Sequence, residues 1–396
     1  MNQQKVSAKN LKNTWFYDLY CVTSSPKSLT FKSDVMEISE KHFCVILAGG
    51  KGRRLWPCSR ERKPKQFIDF FGTGRTQLQQ AYDRMLNIVP KQNIFICTQV
   101  EYAYWVTKQL PDLPPDNVLA EPVSRNTAPS IAWASFRISH ICPDASMIIL
   151  PSDQAVLGNE AFERDIRACL EFVENKDCLI SMGVTPTRPE PGYGYIQMGD
   201  GTGKDNLYEV KSFTEKPERD FARMFVGSGE FLWNTGIFVS NVHNLVNSLH
   251  RILPAVLRLI DKEGINLEKE RDYVYESFSK FPNLSIETGL LEKSEDVYVM
   301  KCSFGWADLG TWHSIYEGMQ KGEDDNVVID SEALLEDCRD NIIKMPRGHL
   351  AVINGLEGYI VAESGDVLLI CKKSDSSALI RKYVNEVRLK YGEEYI

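Results

Sequence analysis

The feature that most constrains this chain is a set of short, wholly apolar runs alternating with helical patterns. The runs are Phe43-Cys44-Val45-Ile46-Leu47-Ala48, Ile94-Phe95-Ile96-Cys97, Met147-Ile148-Ile149-Leu150 and Cys178-Leu179-Ile180-Ser181-Met182. Between them, Leu78 to Val89, Ala128 to Ile141 and Phe162 to Val173 carry apolar residues at helical spacing. Successive side chains of a strand face opposite sides, so a half-exposed strand alternates apolar with polar residues. A strand without alternation is covered on both faces, which calls for helices on either side of a mostly parallel sheet. Ligands of such α/β sheets bind at the carboxyl ends of the strands, where the strand order reverses.

After about residue 325 the texture changes. Val327-Val328-Ile329, Asn341-Ile342-Ile343, Leu350-Ala351-Val352-Ile353, Tyr359-Ile360-Val361 and Val367-Leu368-Leu369-Ile370 are short strands broken by Gly, Asn and Asp. They predict a small all-β domain, a few coils of a β-helix, closed by a helix over Ser376 to Leu389. Residues 1–40 are polar, with scattered Lys5, Lys9, Lys12, Lys27 and Lys32 and a few aromatics (Trp15, Phe16, Tyr17, Tyr20). They read as a loose N-terminal extension, or as a stretch upstream of a true start at Met36; a functional arm is the weakest of the three readings. The expected domains are thus 1–40, 41–325 and 326–396.

Several function classes are disfavoured by composition. The net charge is -8, whereas nucleic-acid binding usually needs a basic field; no nucleic-acid partner is expected. No apolar run approaches the roughly 20 residues that span a bilayer, and the N-terminus lacks the apolar core of a secretory leader. No membrane partner and a cytoplasmic location are expected. The 10 cysteines form no CxxC pair and no zinc-ligand spacing, so Cys44, Cys97, Cys178 and Cys371 read as reduced thiols in core strands.

The first strand runs into Leu47-Ala48-Gly49-Gly50-Lys51-Gly52-Arg53-Arg54-Leu55. Glycines there let the backbone approach a ligand and aim N–H groups at an anion. Arg54, Lys63 and Lys65 add positive charge suited to a triphosphate. A tight turn that merely needs glycine is an equal reading. A Walker loop requires GxxxxGK followed by Ser or Thr, which this stretch lacks. A dinucleotide fingerprint is also poor, because Leu55 stands where its last glycine belongs.

The run Ile46 to Pro57, followed by Ser59-Arg60 and Pro64-Lys65-Gln66-Phe67, resembles the signature of the sugar nucleotidyltransferases. The variant with Trp56-Pro57 and Pro64-Lys65-Gln66-Phe67 is similar to the branch that transfers GMP to mannose 1-phosphate. Further matches follow in order: Glu121-Pro122 with Arg125 to Pro129, Leu150 to Asp153, Gly192 to Ile196, Phe213 to Pro217, Trp233 to Phe238 and Gly305 to Trp312. The resemblance covers residue 43 to the C-terminus. It implies a Rossmann-like, GT-A-like nucleotidyltransferase sheet with a β-helix-like C-terminal domain. It also implies GTP and mannose 1-phosphate as substrates, and Mg2+ as cofactor.

Asp153 follows the strand 147–150 and should stand at its carboxyl end, where a carboxylate is a natural magnesium ligand. Asp308 is the second candidate, and the resemblance implies that the two hold the metal. Taken alone, Asp153 could be a helix cap and Asp308 a turn residue. The attacking sugar phosphate has a second pKa of about 6, so no general base is required and catalysis rests on positioning and charge neutralisation. Arg54 and Lys65 would cover the triphosphate and leaving pyrophosphate, and Lys216 would hold the sugar phosphate. The nucleotide contacts are Leu47, Ala48, Gly49, Gly50, Gly52, Glu121, Arg125, Asn126 and Thr127, with Glu121 accepting from guanine N1 and N2; Asn126-Thr127 reads equally well as a helix cap. The sugar contacts are Gly192, Tyr193, Glu215, Asn234 and Glu287, with Tyr193 and Trp233 better read as packing.

Arg53 departs from the family pattern, which usually has Thr after Gly52, and the extra cation would either help binding or crowd the loop. Gln154 stands where His commonly follows the metal-binding Asp. Glu287 stands where the pattern has Asp. No second, isomerase domain is expected, since the six histidines are scattered. A homodimer through the C-terminal β domain is expected. The competing readings are another sugar or nucleotide, a non-catalytic sensing subunit, and, distantly, an NAD-dependent oxidoreductase.

Overall fold

The structure is a computed structural model and describes residues 38–261 and 266–396. The expected extension, apart from its last three residues, and the alternative start at Met36 lie outside the described residues. The first eleven strands are β1 (His42–Leu47), β2 (Ile94–Gln99), β3 (Val118–Glu121), β4 (Ser146–Pro151), β5 (Gln154–Val156), β6 (Leu179–Val184), β7 (Tyr195–Gly201), β8 (Leu207–Thr214), β9 (Phe231–Asn241), β10 (Val297–Cys302) and β11 (Trp306–Asp308).

Nine of them form one sheet in the order β3-β2-β1-β4-β9-β6-β10-β8-β7. β1 pairs in parallel with β2 on one side and β4 on the other, so the strand order reverses beside β1. The four apolar runs of the sequence are β1, β2, β4 and β6. Both faces of β1 are buried: Cys44 and Ile46 join one hydrophobic cluster, Phe43 and Val45 the other. The helix Thr127–Ile141 is buried along almost its whole length, because it lies between the sheet and the helices Val242–Ile252 and Pro254–Leu257. A helix covered all round has no solvent stripe to show in its sequence.

The expected sheet is mixed and mostly parallel; the mixed character holds, and the mostly parallel part needs correction beyond β4. β9 runs antiparallel to β4, β6 and β7, and β8 antiparallel to β10 and β7. The sheet is mixed. β8 alternates in burial along much of its length, as antiparallel strands with one wet face do, and only its last two residues, Phe213 and Thr214, fall in a motif of the sequence.

The C-terminal strands are β12 (Val327–Ile329), β13 (Glu332–Glu336), β14 (Ile342–Lys344), β15 (Leu350–Asn354), β16 (Tyr359–Ser364) and β17 (Val367–Lys372). β12, β14 and β16 stack in parallel, and β13 stacks on β15. Asn341 Nδ2 donates to Asn326 Oδ1 at 2.9 Å and Tyr359 N to Asn341 Oδ1 at 2.9 Å, an amide ladder that ties successive coils. The helix Ser376–Tyr391 closes the stack. This unit shares a core with the large sheet's unit: Leu55, Trp56, Phe70 and Trp312 pack with Ile342, Ile360, Ile380 and Ile396. Arg60, buried at 6 % exposure, donates to Ser364 O at 2.6 Å. Cys44, Cys97, Cys178 and Cys371 are free and buried.

Candidate active site

The loop after β1 is held by its carbonyls. Thr98 Oγ1 donates to Ala48 O at 3.0 Å, and Gln66 Nε2 to Ala48 O at 2.8 Å and Gly50 O at 2.9 Å. Gln99 Nε2 donates to Gly49 O at 2.6 Å. In a trans peptide the next N–H points opposite the carbonyl, so the N–H groups of Gly49, Gly50 and Lys51 face away from these amides. None of the three donates in a described hydrogen bond. Unspent N–H groups in a row form an anion cradle.

The glycines divide by purpose. Gly52 has φ +62° and its missing Cβ would lie 2.3 Å from Ser59 Oγ, so the turn itself demands glycine. A Cβ on Gly50 would meet nothing within 4 Å; its small size leaves room on the cleft side. The turn reading of the loop is thus met at Gly52, while Gly50 owes nothing to the turn.

β5 and β11 form a separate antiparallel ribbon in which Asp308 stands opposite Gln154. That register sets Asp308 beside Asp153, which follows β4. Lys65, only 6 % exposed, forms an ion pair with Asp153. Desolvation raises the Asp308 carboxyl; the charge of Asp153 raises it further, while Lys65 and Arg54 lower it. Two carboxylates thus stand close enough to feel each other's charge, an arrangement that suits a hard divalent cation. Among the described residues no group of three or more acidic, His or Cys side chains could hold a metal. Arg54, exposed on the short turn Arg53–Leu55, makes no described ion pair.

A cleft of about 340 Å³ opens at the carboxyl ends of β1 to β4. Leu47, Gly49, Gly50, Glu121, Asn126, Thr127, Asp153 and Glu287 line it. Ala48, Gly52, Arg54, Lys65 and Asp308 stand outside the lining, as do Gly192, Tyr193, Glu215, Lys216 and Asn234. Burial pushes the Glu121 carboxyl up to about 8, and a hydrogen bond with Ser130 offsets only part of this. Asn126 caps its helix through a bond from Thr127 N at 2.9 Å, and Thr127 Oγ1 accepts from Ile286 N at 2.8 Å. The latter bond fixes the turn that carries Glu287. Arg125 is not brought into the cleft: its guanidinium donates to Ser279 O.

The sugar candidates meet on the antiparallel half. A Cβ on Gly194 would lie 2.6 Å from Glu215 Oε2 and 3.3 Å from Asn234 Cβ, so Gly194 is what lets these side chains converge. Asn234 Oδ1 accepts from Ser181 Oγ at 3.0 Å and Gly236 N at 3.1 Å; a sugar hydroxyl would be met by its NH2. Lys216 is exposed, lies at φ 47° and pairs with Glu215. Desolvation raises the Glu287 carboxyl, and the nearby charge of Glu215 adds to it. Gly192 spends its N–H on Glu190 Oε1 at 3.1 Å. Tyr193 packs edge-on against Trp233 and Trp306 with centroids 5.1 and 5.3 Å away.

Sequence reasoning left Gln66, Thr98 and Gln99 without a role. Gln66 stood inside a quoted motif, and Gln99 ends β2, where the strand-end rule would have found it. It also left out Gly236 and Asn283, which line the cleft from β9 and from the loop before Ser285; only tertiary folding brings them there.

Compared with known proteins, residues 43–325 match the nucleotidyl transferase family. The mannose-1-phosphate guanylyltransferase RfbM of Salmonella typhimurium is 31% identical over 358 residues, 89% of this chain and 73% of that protein. A mannose-1-phosphate guanylyltransferase of Klebsiella pneumoniae is 30% identical, over 89% of this chain and 75% of its own length. A solved structure titled mannose-1-phosphate geranyltransferase, from Thermus thermophilus, aligns with a TM-score of 0.78 at 27% identity, over 88% of this chain and 99% of that one.

Proposed function

The chain belongs to the nucleotidyl transferase family and is a sugar-phosphate nucleotidyltransferase; on that premise we propose that it joins GMP from GTP to α-D-mannose 1-phosphate, releasing pyrophosphate and giving GDP-mannose. The observation that carries this reading is the meeting of Asp153, Asp308 and Lys65 beside a row of unspent N–H groups. Enzymes of this family use a divalent metal, and Asp153 with Asp308 would hold magnesium, which takes one or two carboxylates beside phosphates and water. When bound, the cation would neutralise charge on the phosphates.

The N–H groups of Gly49, Gly50 and Lys51 cradle the triphosphate, and Arg54 and Lys65 share its negative charge. A phosphate oxygen of the sugar 1-phosphate attacks the α-phosphorus in line; the bond to pyrophosphate breaks and both electrons leave with it. Lys216 holds the attacking phosphate, whose charge already makes it a nucleophile. Glu121 gives the base preference. In its ionised form it accepts from guanine N1–H and the 2-amino group, and its burial makes an unmet carboxylate costly. Asn126 and Thr127 shape the nucleotide side, and Arg125 acts only through the loop it anchors. Glu215, Asn234 and Glu287 serve the sugar hydroxyls, while Gly192 and Tyr193 shape the pocket wall.

We also propose the division 41–325 and 326–396, a cytoplasmic location and a homodimer. Among the described residues no helix is long and apolar enough to cross a membrane. Leu334 pairs with Val352 across β13 and β15, and both are exposed with Leu350, an apolar face on the C-terminal unit that a second copy would cover.

Pyrophosphate release tests the reading, with GTP, ATP, UTP and dTTP each paired with mannose 1-phosphate and glucose 1-phosphate. Release confined to GTP and mannose 1-phosphate is expected. Another productive pair overturns the roles of Glu121 and Glu287 alone; silence with every pair favours a sensing subunit.

A further inference from the structure

Arg53, the extra cation of the loop, does not point into the cleft. Its Nε donates to Glu61 Oε1 at 2.7 Å, and Nη2 lies 2.5 Å from the same oxygen. Lys51 Nζ stands 4.0 Å from Glu61 Oε2. From the other side, Arg388 Nη2 donates to Glu61 Oε1 at 2.6 Å. Arg388 belongs to the terminal helix Ser376–Tyr391, outside the catalytic sheet. Its second acidic neighbour, Glu393, is 3.8 Å away and 83% exposed on its side chain. One carboxylate thus joins three cations, two from the phosphate loop and one from the far end of the chain.

We propose that Glu61 and Arg388 are positioning residues for the triphosphate: Arg388 neutralises Glu61, so that Lys51 and Arg53 keep their net positive charge for the phosphates. The proposal rests on the nucleotide reading above. Without Arg388, the Glu61 charge is balanced only by Lys51 and Arg53, and it opposes an arriving anion. Without both Arg388 and Glu61, the loop cations are free again. The sign of each change is therefore set by charge and not by fold. Its size stays modest, because these groups are partly exposed and solvent screens them.

The test is calorimetric binding of inorganic triphosphate and of GTP to the full chain at low salt, which needs no turnover. Arg388→Met should weaken both about fivefold, and Arg388→Lys should stay within about twofold. The double variant Arg388→Met/Glu61→Gln should regain wild-type affinity. The effect should shrink as salt is raised, and KM for the sugar phosphate should not move. Unchanged affinity in Arg388→Met, or a loss that persists in the double variant, overturns the proposal; melting temperatures separate that from misfolding. A wild-type chain that binds neither triphosphate nor GTP overturns the nucleotide reading, and this inference with it.

Discussion

The two halves of the candidate site are built by different means. On the β1–β4 side the candidate contacts are mostly backbone: carbonyls of Ala48, Gly49 and Gly50 are pinned by buried amides and threonine, and the N–H groups of Gly49, Gly50 and Lys51 stay unspent. On the β7–β9 side they are mostly side chains: Glu215 and Asn234 converge over Gly194 and Lys216 pairs with Glu215, beside strands whose register shifts at Ser181/Gly183 and Gln197/Met198. A phosphate is the same in every nucleotide, so a rigid cradle of N–H groups serves it. Sugars differ by hydroxyl geometry, and irregular antiparallel strands aim particular side chains at particular positions. The carboxylate pair Asp153–Asp308 sits where the halves meet.

The largest test of this contrast removes the junction. Asp308→Ala should keep its fold and lose roughly 10³-fold in turnover with magnesium; near-normal activity in that variant breaks the metal assignment. Lys216→Ala should cost about 10²-fold in kcat/KM for the sugar phosphate. Its melting temperature should stay put, because the side chain is exposed and its lost partner Glu215 is only a neighbour. A loss of affinity for the nucleotide instead would place Lys216 on the wrong half.

The glycine pair separates cradle from turn. Gly52→Ala should destabilise by about 1–3 kcal/mol, through its left-handed φ and its contact with Ser59. Gly50→Ala should change stability by less than about 0.5 kcal/mol yet weaken triphosphate binding about tenfold. Equal thermal shifts in the two variants would remove the distinction.

The last test concerns Glu121, which is buried in the nucleotide half. Its carboxyl rises from 4.5 in the unfolded chain to about 8 in the free protein. A raised carboxyl stabilises the fold fully below about 4.5, and that contribution is lost as pH climbs through about 8. Denaturation of the ligand-free protein should therefore show stability falling across this window, and Glu121→Gln should flatten the fall. The same variant should narrow the preference for GTP over ATP; a pH profile identical to wild type contradicts the buried-carboxylate account.

Much of the molecule was legible because the signals are local. Unalternating runs at 43–48, 94–97, 147–150 and 178–182 become doubly covered strands, since a strand wet on one face cannot be apolar throughout. The C-terminal strands could be read from short apolar runs between Gly, Asn and Asp, which take the left-handed corners at Asp330, Asp337 and Asp340. β13, Glu-Ala-Leu-Leu-Glu, escaped because its composition reads as helix, and it is a strand only by stacking on β15.

What the sequence by itself determined is the type of sheet around β1, the glycine loop and the acidic residues near it, because hydrophobic period, turn chemistry and motif spacing act over a few residues. Only the tertiary structure decided which groups face each other. Lys65 lies 88 positions from Asp153 yet neutralises it. Arg53 turns to Glu61 instead of the cleft, and Arg125 to Ser279. A side chain's direction follows from which partner relieves its desolvation, and that partner is chosen by packing of distant strands and helices, not by neighbours in the chain.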